Sequence, residues 1–295
     1  MTAVINVPPS LDDSTFELVL DQVARVPAEE KLLVDARHAK WSSPYGLTAL
    51  LTLAQSRAER PSFTGPEDEN VASYWSRLAF YRHAERVFEL HGFVPRPKPA
   101  GESDVLLEIT PITKSDDVHE VVGRIQEKAK QILTTGLHLD PKATMGFAMT
   151  LSESCQNIIE HAGQGGWVAV QKYSWRKRLG RNVVVIAVTD AGQGFRHSLE
   201  SSPARKLSDH WDDAKALEQA VMNGQSRHAQ AGRGQGLKGV RRFLSRWNGR
   251  LSIRSGTARI TEGSGELAAD IPMEKGLAPF PGAQVQVVIP EHIET

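Results

Sequence analysis

Pro95-Arg96-Pro97-Lys98-Pro99-Ala100-Gly101 is the stretch that most limits how this 295-residue chain can fold. Three prolines at alternate positions remove backbone donors and hold the chain extended, so neither a helix nor a central strand runs through it. The chain therefore divides into a first domain at residues 1–94, a linker at 95–103 and a second domain at residues 104–295. Each is long enough to bury a core of its own, and two cores are expected. Lys plus Arg equals Asp plus Glu at 35 each, so no global field favours nucleic acid or an anionic membrane. The lone cysteine, Cys155, excludes a disulfide framework or a CxxC zinc site and fits a reducing cytoplasm. The longest unbroken apolar run, Val183 to Val188, is far short of a membrane span, and no basic-then-apolar leader opens the chain.

The first half alternates. A strand at Val4 to Val7 precedes a helix carrying Phe16, Val19, Leu20 and Val23, with Asp12 or Asp13 available to cap it. A strand at Leu32 to Asp35 then precedes a helix from Tyr45 to Arg57, with Leu47, Leu50, Leu51 and Ala54 on one face and Pro44 in its first turn. Two further helices, Val71 to Phe80 and Ala84 to Leu90, complete a small βαβ-like unit. The second half opens with a strand from Asp104 to Ile109 and helices at Asp116 to Leu133 and Pro141 to His161. Strands Trp167 to Tyr173 and Asn182 to Val188 flank a hairpin turn at Trp175 to Gly180. A polar stretch from Arg196 to Ala231 holds one helix, Asp212 to Asn223. A helix at Leu237 to Trp247 and strands at Arg250 to Ser255 and Ala283 to Ile289 follow. The pattern predicts helices on one face of a mixed sheet.

Three clusters carry chemistry. In the first, Glu153, Asn157 and His161 recur every four residues and share one helix face, opposite Phe147, Leu151, Cys155 and Ile158. The Asn157 side-chain oxygen suits magnesium, which takes its remaining ligands from water and phosphate, and Glu153 can polarise a nucleophile beside it. A solvated polar stripe is the alternative. In the second, the apolar strand ends in Thr189-Asp190-Ala191-Gly192-Gln193-Gly194. A carboxylate there can accept from an exocyclic amine such as that of adenine, and the glycines let backbone approach a flat ring. An ordinary turn after a buried strand is the alternative. The third, Gly232-Arg-Gly-Gln-Gly-Leu-Lys-Gly-Val240, stands at a helix start, where free amides attract phosphate. Its GxGxxG follows no strand and is not read as a dinucleotide fingerprint, and no GxxxxGK[ST] occurs.

In this order the clusters resemble the GHKL ATPase superfamily of gyrase, MutL-type repair proteins, histidine kinases and anti-sigma serine kinases, over about half the chain. Glu153, Asn157 and His161 look like its N-box, Asp190, Gly192 and Gly194 its first glycine box, and Gly232, Gly234 and Gly236, with Leu237 at the helix start, its second. The resemblance implies a Bergerat two-layer α/β sandwich that binds ATP with magnesium. Asn157 would hold the metal, Asp190 would read adenine and Glu153 would be the base. Pro281-Gly282-Ala283-Gln284-Val285 resembles the last box, with Ala283 where the family has threonine. Residues 196–231 match the mobile ATP lid, whose Arg227, together with Arg233, would reach the phosphates. The first half resembles a STAS domain through Leu33-Val34-Asp35 and Trp41-Ser-Ser-Pro-Tyr-Gly-Leu47. Pro44 and Tyr45 occupy the place of the usual phosphoacceptor, which favours a docking or regulatory role.

The resulting expectation is a cytoplasmic signalling protein that uses ATP to phosphorylate a partner protein, as anti-sigma serine kinases do. A conformational ATPase and an ATP-bound scaffold are the alternatives. Gyrase-like and MutL-like clamps add a following domain whose lysine reaches the γ-phosphate, which the five residues after Pro290 do not supply. His119 lacks the context of a kinase phosphoacceptor. Arg176, Lys177, Arg178 and Arg181, and the group Arg241, Arg242, Arg246 and Arg250, lack the interleaved aromatics of a nucleic-acid platform. No membrane contact is expected, and a homodimer stays open.

Overall fold

A computed structural model describes residues 2–95, 106–112, 118–137, 139, 144, 148, 165–201, 211–223 and 235–292. In the first half, strands β1 (Thr2–Asn6), β3 (Lys31–Asp35), β5 (Ser62–Thr64) and β6 (Glu89–His91) form a parallel sheet in that order. Strands β2 (Ser10–Leu11) and β4 (Trp41–Ser42) form a separate short pair. Parallel strands need crossover connections. These contain helices α1 (Phe16–Val23), α2 (Pro44–Gln55), α3 (Glu69–Arg77) and α4 (Phe80–Val87). Asp12 accepts from the Ser14 and Thr15 amides before α1, whereas Ser43 caps α2 by accepting from the Gly46 amide, with Pro44 at the first helical position. The sequence pattern misses β5 and β6, three residues each and too short to show alternation.

Helix α2 connects the two halves. Every residue from Pro44 to Ala54 is buried, and a helix buried on all sides needs cover on all sides. One side lies in the core of the first half and the other packs on the second sheet. The second sheet runs β10 (Arg250–Gly263), β11 (Met273–Pro290), β9 (Arg181–Asp190), β8 (Gly166–Trp175) and β7 (Leu106–Ile112). Its pairs are antiparallel throughout, where a mixed sheet was expected. The apolar run Val183 to Val188 has the look of a parallel strand because both its faces are covered. Val184, Ile186 and Val188 pack under α5 (Val118–Leu137) and helix Gln235–Arg246, whereas Ala187, with Trp167, Ala169 and Phe280, shares a core with α2 and the first half. The first-half core extends over the back of the second sheet, while the helix-covered face of that sheet keeps a core of its own.

Strands β10 and β11 extend well beyond the predicted Arg250 to Ser255 and Ala283 to Ile289. Gly256 and Pro279-Phe-Pro-Gly282 read as chain breakers, but the ladder absorbs them with register shifts at Gly256, which sits at φ +60°. The predicted hairpin turn is a short helix, Arg176–Leu179, closed by Gly180 at φ +67°. Within the stretch expected to be a mobile lid, residues 211–223 are anchored. Asp212 caps helix Asp213–Glu218, Leu217 and Val221 lie in the core, and Asp213 accepts from the Thr257 amide and hydroxyl at 2.8 Å each. Low overall apolar content hid the few residues that hold this segment. Residues 202–210 and 224–231 of that stretch, and most of the helix expected at Pro141 to His161, lie outside the described residues. Among the described residues no helix is long and apolar enough to cross a membrane.

Candidate functional site

Strand β9 delivers Asp190 to the end of the sheet. Side chains alternate along a strand, so Asp190 shares the helix-covered face of Val184, Ile186 and Val188, while Thr189 turns towards α2 with Ala187. Asp190 is 6% exposed. Its Oδ1 accepts the Gly192 amide at 2.8 Å, and the Ala283 amide donates to the same carboxyl group. The alanine that stands where a threonine was expected therefore still supplies a backbone donor to this carboxyl.

Glycines make the close approach possible. Gly282, at φ +76°, has no room for a Cβ, which would sit 2.0 Å from the Asp190 carbonyl oxygen and 2.6 Å from Oδ1. Gly194, at φ +69°, would bring a Cβ to 2.7 Å from Ser255 Oγ. That hydroxyl donates to the Gly282 carbonyl at 2.8 Å and accepts the Phe195 amide at 3.1 Å, tying the turn after β9 to the bend in β11. Gln284 Nε2 donates to the carbonyls of Asp190 at 3.1 Å and Pro281 at 2.8 Å. Ser255 and Gln284 escape the sequence reading. Their signal is a polar residue at a fully buried strand position, which only a hydrogen bond excuses.

Asp190, Gly192, Gly194 and Ala283 are thus brought together. Gly236 lies in the first turn of helix Gln235–Arg246, and Leu237 follows it, half-buried against the helix-side core. Glu153, Asn157, His161, Arg227, Gly232, Arg233 and Gly234 lie outside the described residues. Among the described residues no group of three or more His, Cys, Asp or Glu is placed to hold a metal ion. Several cations are already committed to carboxylates. Arg241 pairs with Glu262 at 2.6 Å, Arg250 with Asp13 at 3.0 Å and Arg254 with Glu17 at 2.7 Å.

Burial pushes the Asp190 carboxyl up to about 7, against the lowering effect of the Gly192 and Ala283 amides. Its folded value lies above the ordinary 3.8, so the native state takes up the proton first. The sign follows from linkage: this group costs nothing at pH values below its unfolded pKa, and the cost grows as pH rises towards about 7. The Asp190→Asn variant keeps an acceptor for the Gly192 amide and carries no charge. Without ligand it should therefore gain in melting temperature over wild type as pH rises through that window and keep the gain above it. A difference that is flat with pH would contradict a carboxyl raised by burial.

A buried carboxyl acceptor between two glycine turns suits a flat heteroaromatic ring that presents an amine donor. The sequence profile described as histidine kinase-, DNA gyrase B-, and HSP90-like ATPase matches residues 144–291, half of the chain. This stretch contains Asp190, its glycine turns and the helix at Gln235–Arg246. Neither a curated protein nor a solved structure matches the chain.

Proposed function

Because this chain belongs to the histidine kinase-, DNA gyrase B- and HSP90-like ATPase family, and so carries an ATP-binding domain, we propose that it is a cytoplasmic signalling protein that transfers the γ-phosphate of magnesium-bound ATP to a hydroxyl of a partner protein. The observation that carries the nucleotide reading is the buried Asp190 carboxyl, held between the Gly192 turn and the Gly282 bend. It accepts the adenine amine. Gly232, Gly234 and Gly236 would border the phosphates, Arg227 and Arg233 would approach them, and Asn157 would hold magnesium, with His161 in the same motif. Glu153 accepts the proton of the attacking hydroxyl.

Residues 1–94 act as a STAS-like regulatory or docking module, joined through 95–103 to the ATP-binding domain at 104–295. The burial of Ser42 and Ser43, at 0% and 2% exposure, supports docking over phosphate acceptance, since neither hydroxyl is open to a kinase. A second reading, a conformational switch without transfer, is favoured by the shared core: movement at the end of β9 would be felt directly by α2.

Incubation of the purified chain with γ-labelled ATP and cell extract distinguishes the two. Label on a second protein is expected. Label recovered only as free phosphate supports the switch, and no turnover at all contradicts both enzymatic readings.

A further inference from the structure

We propose that Thr52, in the first half of the chain, is a positioning residue for adenine recognition. It acts through Thr189 on the placement of Asp190, so that the N-terminal half sets nucleotide affinity and base preference. The inference rests on the assignment of Asp190 as the adenine reader.

The geometry points to a single route. Thr52 and Thr189 are both fully buried, and their hydroxyl oxygens lie 2.9 Å apart. Thr52 Oγ1 also lies 3.0 Å from the Thr48 carbonyl, one turn back in α2. A hydroxyl has one proton. The carbonyl can only accept, so Thr52 donates to Thr48 and Thr189 must donate to Thr52. The bond is therefore directional: among the described residues, α2 supplies the acceptor for the Thr189 proton. Thr189 is the residue immediately before Asp190, on the last pairs of β9 with β8 and β11. On the far side of the peptide, Gln284 Nε2 fixes the Asp190 carbonyl. The strand end is thus held by α2 through one residue and by β11 through the next, and a shift of the backbone that carries the Asp190 carboxyl requires one of these to yield.

A second hydrogen bond across the same interface serves as the internal control. The Tyr74 and Tyr173 hydroxyls meet at 2.7 Å, but Tyr173 pairs with Val183, at the opposite end of β9 from Asp190. Loosening the interface there leaves the end of the strand alone.

Titration of the full chain with magnesium-ATP and magnesium-ITP tests the proposal on Thr52→Val, Thr52→Ser, Tyr74→Phe and Asp190→Asn. ITP carries a carbonyl where ATP carries the amine, so the ratio of the two affinities reads the Asp190 contact. Thr52→Val should raise the ATP dissociation constant about fivefold to tenfold and narrow the preference for ATP over ITP by a similar factor. Thr52→Ser should restore both, and Tyr74→Phe should leave both unchanged. If Thr52→Val fails to fold, Thr189→Val removes the same bond while leaving Thr52 bonded to Thr48, and should show the same loss. Unchanged ATP/ITP preference in the valine variants, or an equal fall in Tyr74→Phe, overturns the proposal. If Asp190→Asn itself keeps wild-type preference, the parent assignment has failed instead.

Discussion

The Arg254→Ala variant is expected to lose about 3 kcal/mol of stability or more, the scale of breaking a buried ion pair by removing one partner. Arg254 lies on β10 with its side chain 1% exposed, and Glu17, 13% exposed, lies on α1 in the other half of the chain. The guanidinium reaches both Glu17 oxygens, at 2.7 and 3.1 Å, donates to the Gly256 and Ala278 carbonyls, and lies over the Phe280 ring at 5.6 Å. Truncation leaves a poorly solvated carboxylate and two backbone acceptors without their donor. Arg259, 3.5 Å from Glu17 and bonded to the Asp13 carbonyl, remains to compensate, which places the cost towards the lower end of the usual range. Removing both charges in Glu17→Leu/Arg254→Met should recover most of the loss, because two apolar chains leave no unpaired charge. Urea denaturation is the measurement. An unfolding free energy for Arg254→Ala within about 0.5 kcal/mol of wild type, the range of an ordinary surface substitution, would contradict the account of a core shared between the two halves.

The Glu153→Ala variant is expected to transfer or release phosphate about a hundredfold more slowly, or worse, with ATP affinity little changed. The proposed role explains the separation: the carboxylate accepts a proton from the nucleophile and does not hold the nucleotide. Asn157→Ala supplies the contrast. The metal bridges protein and phosphates, so losing its ligand weakens magnesium-dependent binding itself. Full turnover in Glu153→Ala would transfer the base role to another group, and wild-type nucleotide affinity in Asn157→Ala would remove Asn157 from the metal.

What the sequence could and could not reveal follows from the range of the interactions. Helices α1, α2 and α5 and strands β8 and β9 carry their own periodicity, and Pro44 and Asp212 mark starts that the structure bears out, whereas the Ser43 cap was not read. Asp190 and its glycines could be picked out because a carboxylate after six apolar residues is costly without a purpose. The covering of the second sheet by α2 was hidden, since the polar Thr48 and Thr52 break up the apolar stripe and disguise a helix buried on both sides. The linker prolines suggested separated domains, yet linker composition says nothing about whether the segments it joins adhere. Arg250 read as part of a basic surface group because Asp13, which pairs with it, stands more than two hundred residues away. Ser255 and Gln284 act through partners that only the fold brings near.

The central claim is that Asp190 reads the base of bound ATP, and calorimetric titration of wild type and Asp190→Asn with magnesium-ATP at a pH above the raised carboxyl value tests it most directly. Wild type should bind, and the variant, with a donor in place of an acceptor oxygen, should lose roughly 1.5 to 3 kcal/mol of affinity. Equal affinity in the two proteins would contradict the claim.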